Sequence, residues 1–226
     1  MALTLIIGNK NYSSWSMRPW FAMTAAGIPF EEILIPLYEP GSAERMIEYS
    51  PAGKVPILLD DGIRVWESLA IIEYLAEKFP QSGLWPNDPA ARAHARAICS
   101  EMHAGFQPLR RECPMNMWHP PRAQAESEDV EKNVRRIVAI WEECCTLFGA
   151  EGPFLFGRIG AADAMFAPVV SRFLTWGIST SVVSESYMAA ITDTPAWQSW
   201  RGAALQESWV MSHNEPDWPE VPRLTT

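Results

Sequence analysis

Val55-Pro56-Ile57-Leu58-Leu59-Asp60-Asp61-Gly62-Ile63-Arg64-Val65-Trp66-Glu67-Ser68-Leu69-Ala70-Ile71-Ile72-Glu73-Tyr74-Leu75 is the stretch that decides the fold of this chain. Two short apolar runs, Val55 to Leu59 and Ile63 to Trp66, flank Asp60-Asp61-Gly62. An Asp-Gly step between such runs is a strong hairpin signal. The apolar period then changes, and Leu69 to Lys78 reads as a helix with Ser68 as its N-cap. Pro56 is tolerated where a strand opens, because its missing N–H is not needed by the ladder. It also holds Val55 extended, leaving the Val55 N–H and C=O to pair with an extended peptide as an added strand.

Upstream, Leu3 to Ile7 reads as a buried strand and Ser16 to Ala26 as a helix with Pro19 in its first turn. Gly27-Ile28-Pro29 ends that helix, Phe30 to Leu37 reads as a second strand, and Gly41 to Tyr49 as a short helix. The order β-α-β-α-β-β-α predicts a small mixed sheet covered by helices. Downstream, Pro80 to Pro89 is rich in residues that break regular structure and reads as a linker. No strand is expected beyond it. Ala90 to Arg110, Ala123 to Leu147, Ala161 to Trp176 and Pro195 to Leu205 carry helical patterns. The tail Pro216 to Thr226 reads as an extended surface segment or a partly disordered one. The expected organisation is an α/β domain over 1–80, a linker over 81–89 and an all-helical domain over 90–226.

At 226 residues and 48% hydrophobic content the chain can bury a real core. A formal net charge of −9 argues against nucleic acid or an anionic membrane as a main partner. No apolar run reaches the ~18 residues of a membrane span, and the N-terminus does not read as a signal peptide, so a cytoplasmic location is the expectation. Cys99, Cys113, Cys144 and Cys145 form no Cys-x-x-Cys pair and read as reduced, mostly core-filling thiols. The four histidines have no ligand spacing, so no metal is expected.

Two segments carry possible chemistry. In Tyr12-Ser13-Ser14-Trp15-Ser16-Met17-Arg18-Pro19-Trp20 three serines sit at a strand-to-helix junction, where hydroxyls and free N–H groups can converge on an anion such as a thiolate. The plain alternative is a helix start capped by Ser14 or Ser16. In Glu67-Ser68, a hydroxyl at a helix N-terminus suits a carboxylate, and the neighbouring Glu suits an ammonium. Together they suit an amino-acid head group; the plain alternative is again a cap.

The order and spacing of these signals resemble the glutathione transferases. Trp66 to Leu75 is similar to that family's γ-glutamyl-binding region, and Ser13-Ser14-Trp15-Ser16 resembles the Ser-Ser-Cys-x motif of the serine-type zeta class, which includes maleylacetoacetate isomerases. Leu84-Trp85-Pro86-Asn87-Asp88-Pro89 and Ala104-Gly105-Phe106-Gln107-Pro108-Leu109 are also zeta-like. The resemblance implies a thioredoxin-like N-terminal domain, an all-helical C-terminal domain, a homodimer, and glutathione as cosubstrate for a small apolar electrophile. It implies that Ser13 or Ser14 hydrogen-bonds the glutathione sulfur, with Ser13 first in the motif, and that Arg18 adds positive potential. Val55, before a cis Pro56, would pair with the cysteinyl backbone. Lys54 would meet the glycine carboxylate, Glu67 and Ser68 would hold the γ-glutamyl group, and Gln107 would reach the site from the helical domain.

The departures are informative. Trp15 stands where the zeta motif has Cys, which sets the isomerase reading against a transferase reading; Trp15 is either a wall of the glutathione pocket or core. Gly160 stands where the family has Ser or Thr in a capping box, with Asp163 still able to bond back. A zeta-class arginine has no match at the same spacing; Arg172 lies about one turn earlier and is either a partial substitute for it or, as the favoured reading, a surface salt-bridge residue. His103 reads as a helix-surface histidine. Met115, Met117 and Trp118 read as either an apolar pocket wall or core. A third reading, a non-catalytic protein that binds glutathione or other ligands, predicts binding without thiolate formation.

Overall fold

The computed structural model describes residues 3–215 and 224. Four strands, β1 (Leu3–Ile7), β2 (Phe30–Leu34), β3 (Ile57–Asp60) and β4 (Ile63–Trp66), form one sheet in the order β2-β1-β3-β4. β1 and β2 are parallel; β1 with β3 and β3 with β4 are antiparallel. Asp60 pairs with Ile63, so Asp61-Gly62 is a two-residue loop. Both residues have positive φ, 45° and 85°, as a type I′ turn requires.

Both faces of the sheet are covered. Leu3, Leu5, Ile7 and Leu58 pack with α1 (Ser14–Ala25) and α3 (Ser68–Lys78). Ile6 and Ile57 point the other way, against Met46 and Tyr49 of α2 (Ser42–Tyr49). That alternation is the period of two expected of a strand. The helical part comprises α4 (Pro89–Ala104), α5 (Gln107–Glu112), α6 (Glu128–Phe148), α7 (Ala161–Thr175), α8 (Val182–Thr192) and α9 (Pro195–Leu205). α7 is buried along nearly its whole length and packs against α1, joining the two parts through one core. Among the described residues no helix is long and apolar enough to cross a membrane.

Several local expectations are corrected. α1 begins at Ser14, and its cap is Ser13, whose Oγ accepts the Ser16 N–H; neither Ser14 nor Ser16 caps it. Glu67, not Ser68, is the N-cap residue of α3, and its side chain makes no capping bond. β3 starts at Ile57, leaving Val55 and Pro56 outside the ladder. β2 stops at Leu34, two residues before Pro36, which has no N–H to donate. The run Ala90 to Arg110 is two helices: Pro108 cannot continue α4, and Phe106 turns the chain with φ 61°. α8 falls outside every predicted helix; its exposed Val182 and Val183 blur the amphipathic pattern, although Ser181 caps it. The tail 216–226 lies outside the described residues apart from Leu224, whose N–H donates to the Trp118 carbonyl.

Candidate functional site

The loop between β1 and α1 carries the serines and is clamped from the helical part. After α9, the Glu207 carboxylate accepts the N–H groups of Lys10 (2.6 Å) and Asn11 (3.0 Å). Trp200 Nε1 donates to the Lys10 carbonyl at 2.9 Å. Asn11 Oδ1 in turn accepts the N–H groups of Met117 and Trp118 at 2.6 and 3.1 Å. These long-range bonds fix where α1 begins, and so where its N-terminal dipole points.

Beside that N-terminus, Trp15, Ala52, Lys54, Val55, Pro56, Trp66 and Glu67 line one cleft. The Val55–Pro56 bond is cis. Glu67 has φ 68°, a left-handed value that a residue with a Cβ adopts only where its surroundings hold it there. Next to it, the Ser68 hydroxyl is fully buried at the α3 N-terminus and has no hydrogen-bond partner. A buried, unpaired hydroxyl is costly, and it is satisfied when a polar ligand group meets it. The Glu67 carboxylate lies 3.6 Å from His103 Nε2. Burial and the charge of Arg18 hold the His103 imidazole below its ordinary pKa, so at neutral pH it does not neutralise Glu67. The cleft thus brings one carboxylate, Glu67, and one ammonium, Lys54, to the same lining, with the unpaired Ser68 hydroxyl next in the chain.

The floor behind Trp15 is positively charged. The guanidinium carbons of Arg18 and Arg110 lie 4.3 and 4.8 Å from the centre of the Trp15 ring, and His103 meets that ring edge-on at 5.2 Å. Arg110 donates to the carbonyls of Met102 and Gly105 at the end of α4. Arg18 is fully buried, and its Nε and Nη1 have no partner. Arg172 is 6% exposed; it donates to the carbonyls of Arg110 and Cys113 and, through Nη2, to Ser14 Oγ at 3.2 Å. The surface salt bridge expected of Arg172 is therefore not what forms. Among the described residues none of the three arginines has a carboxylate partner within salt-bridge distance.

Of the residues singled out from the sequence, Trp15, Lys54, Val55, Pro56 and Glu67 line one cleft and Ser68 is next in the chain to Glu67; Ser13, Ser14 and Arg18 are buried near the start of α1 and are not among the lining residues. Trp15 forms a wall of this cleft. Gln107 is not among the lining residues; it is exposed at the start of α5, with its amide towards the Ala104 carbonyl at 3.4 Å. Met115, Met117 and Trp118 are core rather than pocket wall. His103 faces Trp15 and Glu67 instead of open solvent. Arg110 escaped the reading as a site residue, and Arg172 entered it only as a partial substitute for the family's arginine; a lone arginine in so apolar a helix as α7 is a usable signal. Burial pushes the thiols of Cys113 and Cys144 up to about 12 and raises those of Cys99 and Cys145, so none is a ready nucleophile. Among the described residues no cluster of His, Cys, Asp or Glu suits a metal.

Comparison with known proteins bears on the family and the fold. Residues 12–78 match the family described as glutathione S-transferase, N-terminal domain, and residues 124–203 its C-terminal domain. A probable maleylacetoacetate isomerase of Caenorhabditis elegans is 42% identical over 97 residues, 43% of this chain and 45% of that protein. The chain thus spans less than half the length of that relative. A maleylacetoacetate isomerase of Pseudomonas aeruginosa is 28% identical over 176 residues, 74% of this chain and 80% of that one. Among solved structures, a glutathione transferase homologue from Burkholderia, with bound glutathione, shares the fold at a TM-score of 0.69 and 23% identity, covering 88% of this chain and 96% of its own.

Proposed function

The chain belongs to the glutathione S-transferase family, and from that footing we propose that it is a cytoplasmic, homodimeric glutathione transferase acting on a small apolar electrophile. In this reading residues 1–80 bind glutathione, 81–89 link, and 90–226 hold the electrophile. The observation that supports it is the unpaired Ser68 hydroxyl next in the chain to Glu67, whose carboxylate shares a cleft with Lys54 and Val55. The γ-glutamyl carboxylate meets Ser68 and the α3 N-terminus, and its ammonium meets Glu67. The cysteinyl backbone pairs with Val55 as an added strand, and the glycine carboxylate meets Lys54.

The sulfur then lies at the start of α1. A free thiol has a pKa near ~8.5 and is mostly protonated at pH 7. A serine O–H donor, the helix N-terminus and the arginines behind Trp15 all favour the anion, so the thiol releases its proton to solvent. The thiolate attacks an electrophilic carbon, and the leaving group departs with the bonding pair. A second reading is favoured by the names of the relatives: a glutathione-dependent cis-trans isomerase. There the thiolate adds to one carbon of a conjugated double bond, the resulting single bond rotates, and the thiolate is expelled unchanged.

An assay with glutathione against an aryl halide, a cis-diketo acid and a mixed disulfide separates the readings. Stoichiometric glutathione consumption with the aryl halide is expected. Turnover of the diketo acid without net consumption selects the isomerase. Inactivity on all three, with glutathione bound, leaves the non-catalytic binding role; absence of binding rejects the proposal.

A further inference from the structure

We propose that His103 of α4 sets the affinity of the site for glutathione: when protonated it claims the Glu67 carboxylate in place of the ligand's ammonium, so that binding expels a proton from the imidazole to solvent in mildly acidic solution. This rests on the reading that the cleft binds glutathione. Glu67 is exposed on the cleft, and among the described residues His103 is the one basic side chain within ion-pair distance of its carboxylate. Their separation, 3.6 Å, is too long for a hydrogen bond and short enough for an ion pair. A neutral imidazole therefore leaves Glu67 to a ligand, and an imidazolium competes for it. Trp15, itself a wall of the cleft, meets the His103 ring edge-on at 5.2 Å and holds it at that end of the site. The other ring nitrogen, Nδ1, is buried without a partner, so Glu67 is left as the group that stabilises a second proton on the ring.

The charges around the ring give the sign of the effect. Burial first, then Arg18 of α1 and, more weakly, Arg110 of α5 disfavour the imidazolium, whereas Glu67 at the start of α3 favours it. Arg172 of α7 is turned to Ser14 and to the carbonyls of Arg110 and Cys113. On α4 itself Glu101 is paired with Arg136, and burial keeps the Cys99 thiol protonated. Lys54 shares the cleft lining with Glu67. An ammonium at Glu67 offsets the charge that favours the imidazolium, so the liganded protein holds the His103 proton less tightly than the free protein. By linkage, acid then weakens binding: affinity falls as pH drops through the imidazole's pKa in the free protein, below ~6.5, and is level above it. Ordinary carboxylates stay ionised above about pH 5 and an amino-acid ammonium stays protonated below about pH 7, so the imidazole is the group that titrates in this window. Glu67 and His103 stand on opposite sides of the linker, so the helical part tunes a site built on the α/β part.

The test is calorimetric titration of the full-length protein with S-methylglutathione, whose blocked sulfur takes no part in proton exchange, at pH 5, 6 and 7 in two buffers of different ionisation enthalpy. Wild-type affinity is expected to fall by about threefold or more from pH 7 to pH 5, with proton release on binding at pH 5. His103→Asn is expected to bind within about threefold of wild type at pH 7, to keep that affinity at pH 5 and to release no proton. A merely structural role for His103 would lower affinity alike at every pH and leave the slope in place. If His103→Asn does not fold, histidine ring-proton titration of the wild type by NMR takes its place: one midpoint is expected to fall by about half a unit or more when the ligand saturates the site. A wild-type affinity level from pH 7 to pH 5, an equal acid loss in His103→Asn, or no midpoint that falls overturns the role of His103 and leaves the glutathione reading standing. No binding of S-methylglutathione or of glutathione at any pH overturns the glutathione reading itself.

Discussion

Replacing Asp163 with alanine is expected to destabilise the protein by about 3–5 kcal/mol, read as a loss of cooperative unfolding at working temperature or a large drop in melting temperature. Asp163 is 1% exposed at the third position of α7. Its carboxylate accepts the N–H of Gly160 at 2.8 Å and of Leu155 at 3.2 Å. With Gly160 as cap residue there is no side-chain hydroxyl to share the work, so alanine leaves both donors unsatisfied beneath the helix that also carries Arg172. Asparagine keeps an acceptor oxygen and is expected to cost far less. The two variants also differ in pH dependence. Burial raises the Asp163 carboxyl from 3.8 to about 7 despite its two N–H donors. The native state then holds a proton that the unfolded chain has released, so this group's contribution to stability falls as pH rises from about 4 to about 7 and is flat above. Asp163→Asn removes that slope. Denaturant midpoints at pH 5 and pH 8 for wild type and Asp163→Asn measure it directly.

Changes at the head-group end of the cleft are expected to separate affinity from stability. Glu67→Gln removes the charge opposite the γ-glutamyl ammonium and should weaken glutathione binding by roughly 10- to 100-fold, the range of a charge-assisted hydrogen bond. Ser68→Ala should weaken it by roughly tenfold, yet leave the melting temperature of the free protein unchanged or slightly raised. The reason is that the Ser68 hydroxyl has no partner in the protein and is carried as a buried cost. Calorimetric titration with glutathione, alongside thermal unfolding without it, gives both numbers. A Ser68→Ala protein that binds normally but unfolds earlier would mean that the hydroxyl serves α3 rather than a ligand.

Much of this was legible in the chain. Asp61-Gly62 could form a two-residue hairpin loop, and the alternation of Leu5, Ile6 and Ile7 between opposite faces followed from the strand period. Glu67-Ser68 at a helix start reads as a candidate amino-acid site because a carboxylate beside a hydroxyl at a helix N-terminus complements an ammonium and a carboxylate. What stayed hidden depends on contacts far apart in sequence. The Arg172–Ser14 bond joins α7 to α1, and the Glu207 clamp joins the end of α9 to the first loop; no local pattern encodes either. Motif order alone separates Ser13 from Ser14 in sequence, whereas in the structure Ser13 caps α1 and Ser14 accepts from Arg172. Gln107 was placed by motif alone, and the turn at Phe106 leaves it outside the cleft lining.

The most direct test of the central claim, that this cleft binds glutathione and makes its thiolate, is a pH titration of thiolate absorbance for glutathione bound to the wild-type protein. The expected result is a bound-thiol pKa at least about one unit below that of the free thiol, moved there by a hydroxyl donor, a helix N-terminus, the buried Arg18 and Arg172 and the half-buried Arg110. A bound thiol that titrates like free glutathione, or no binding at millimolar glutathione, would contradict it.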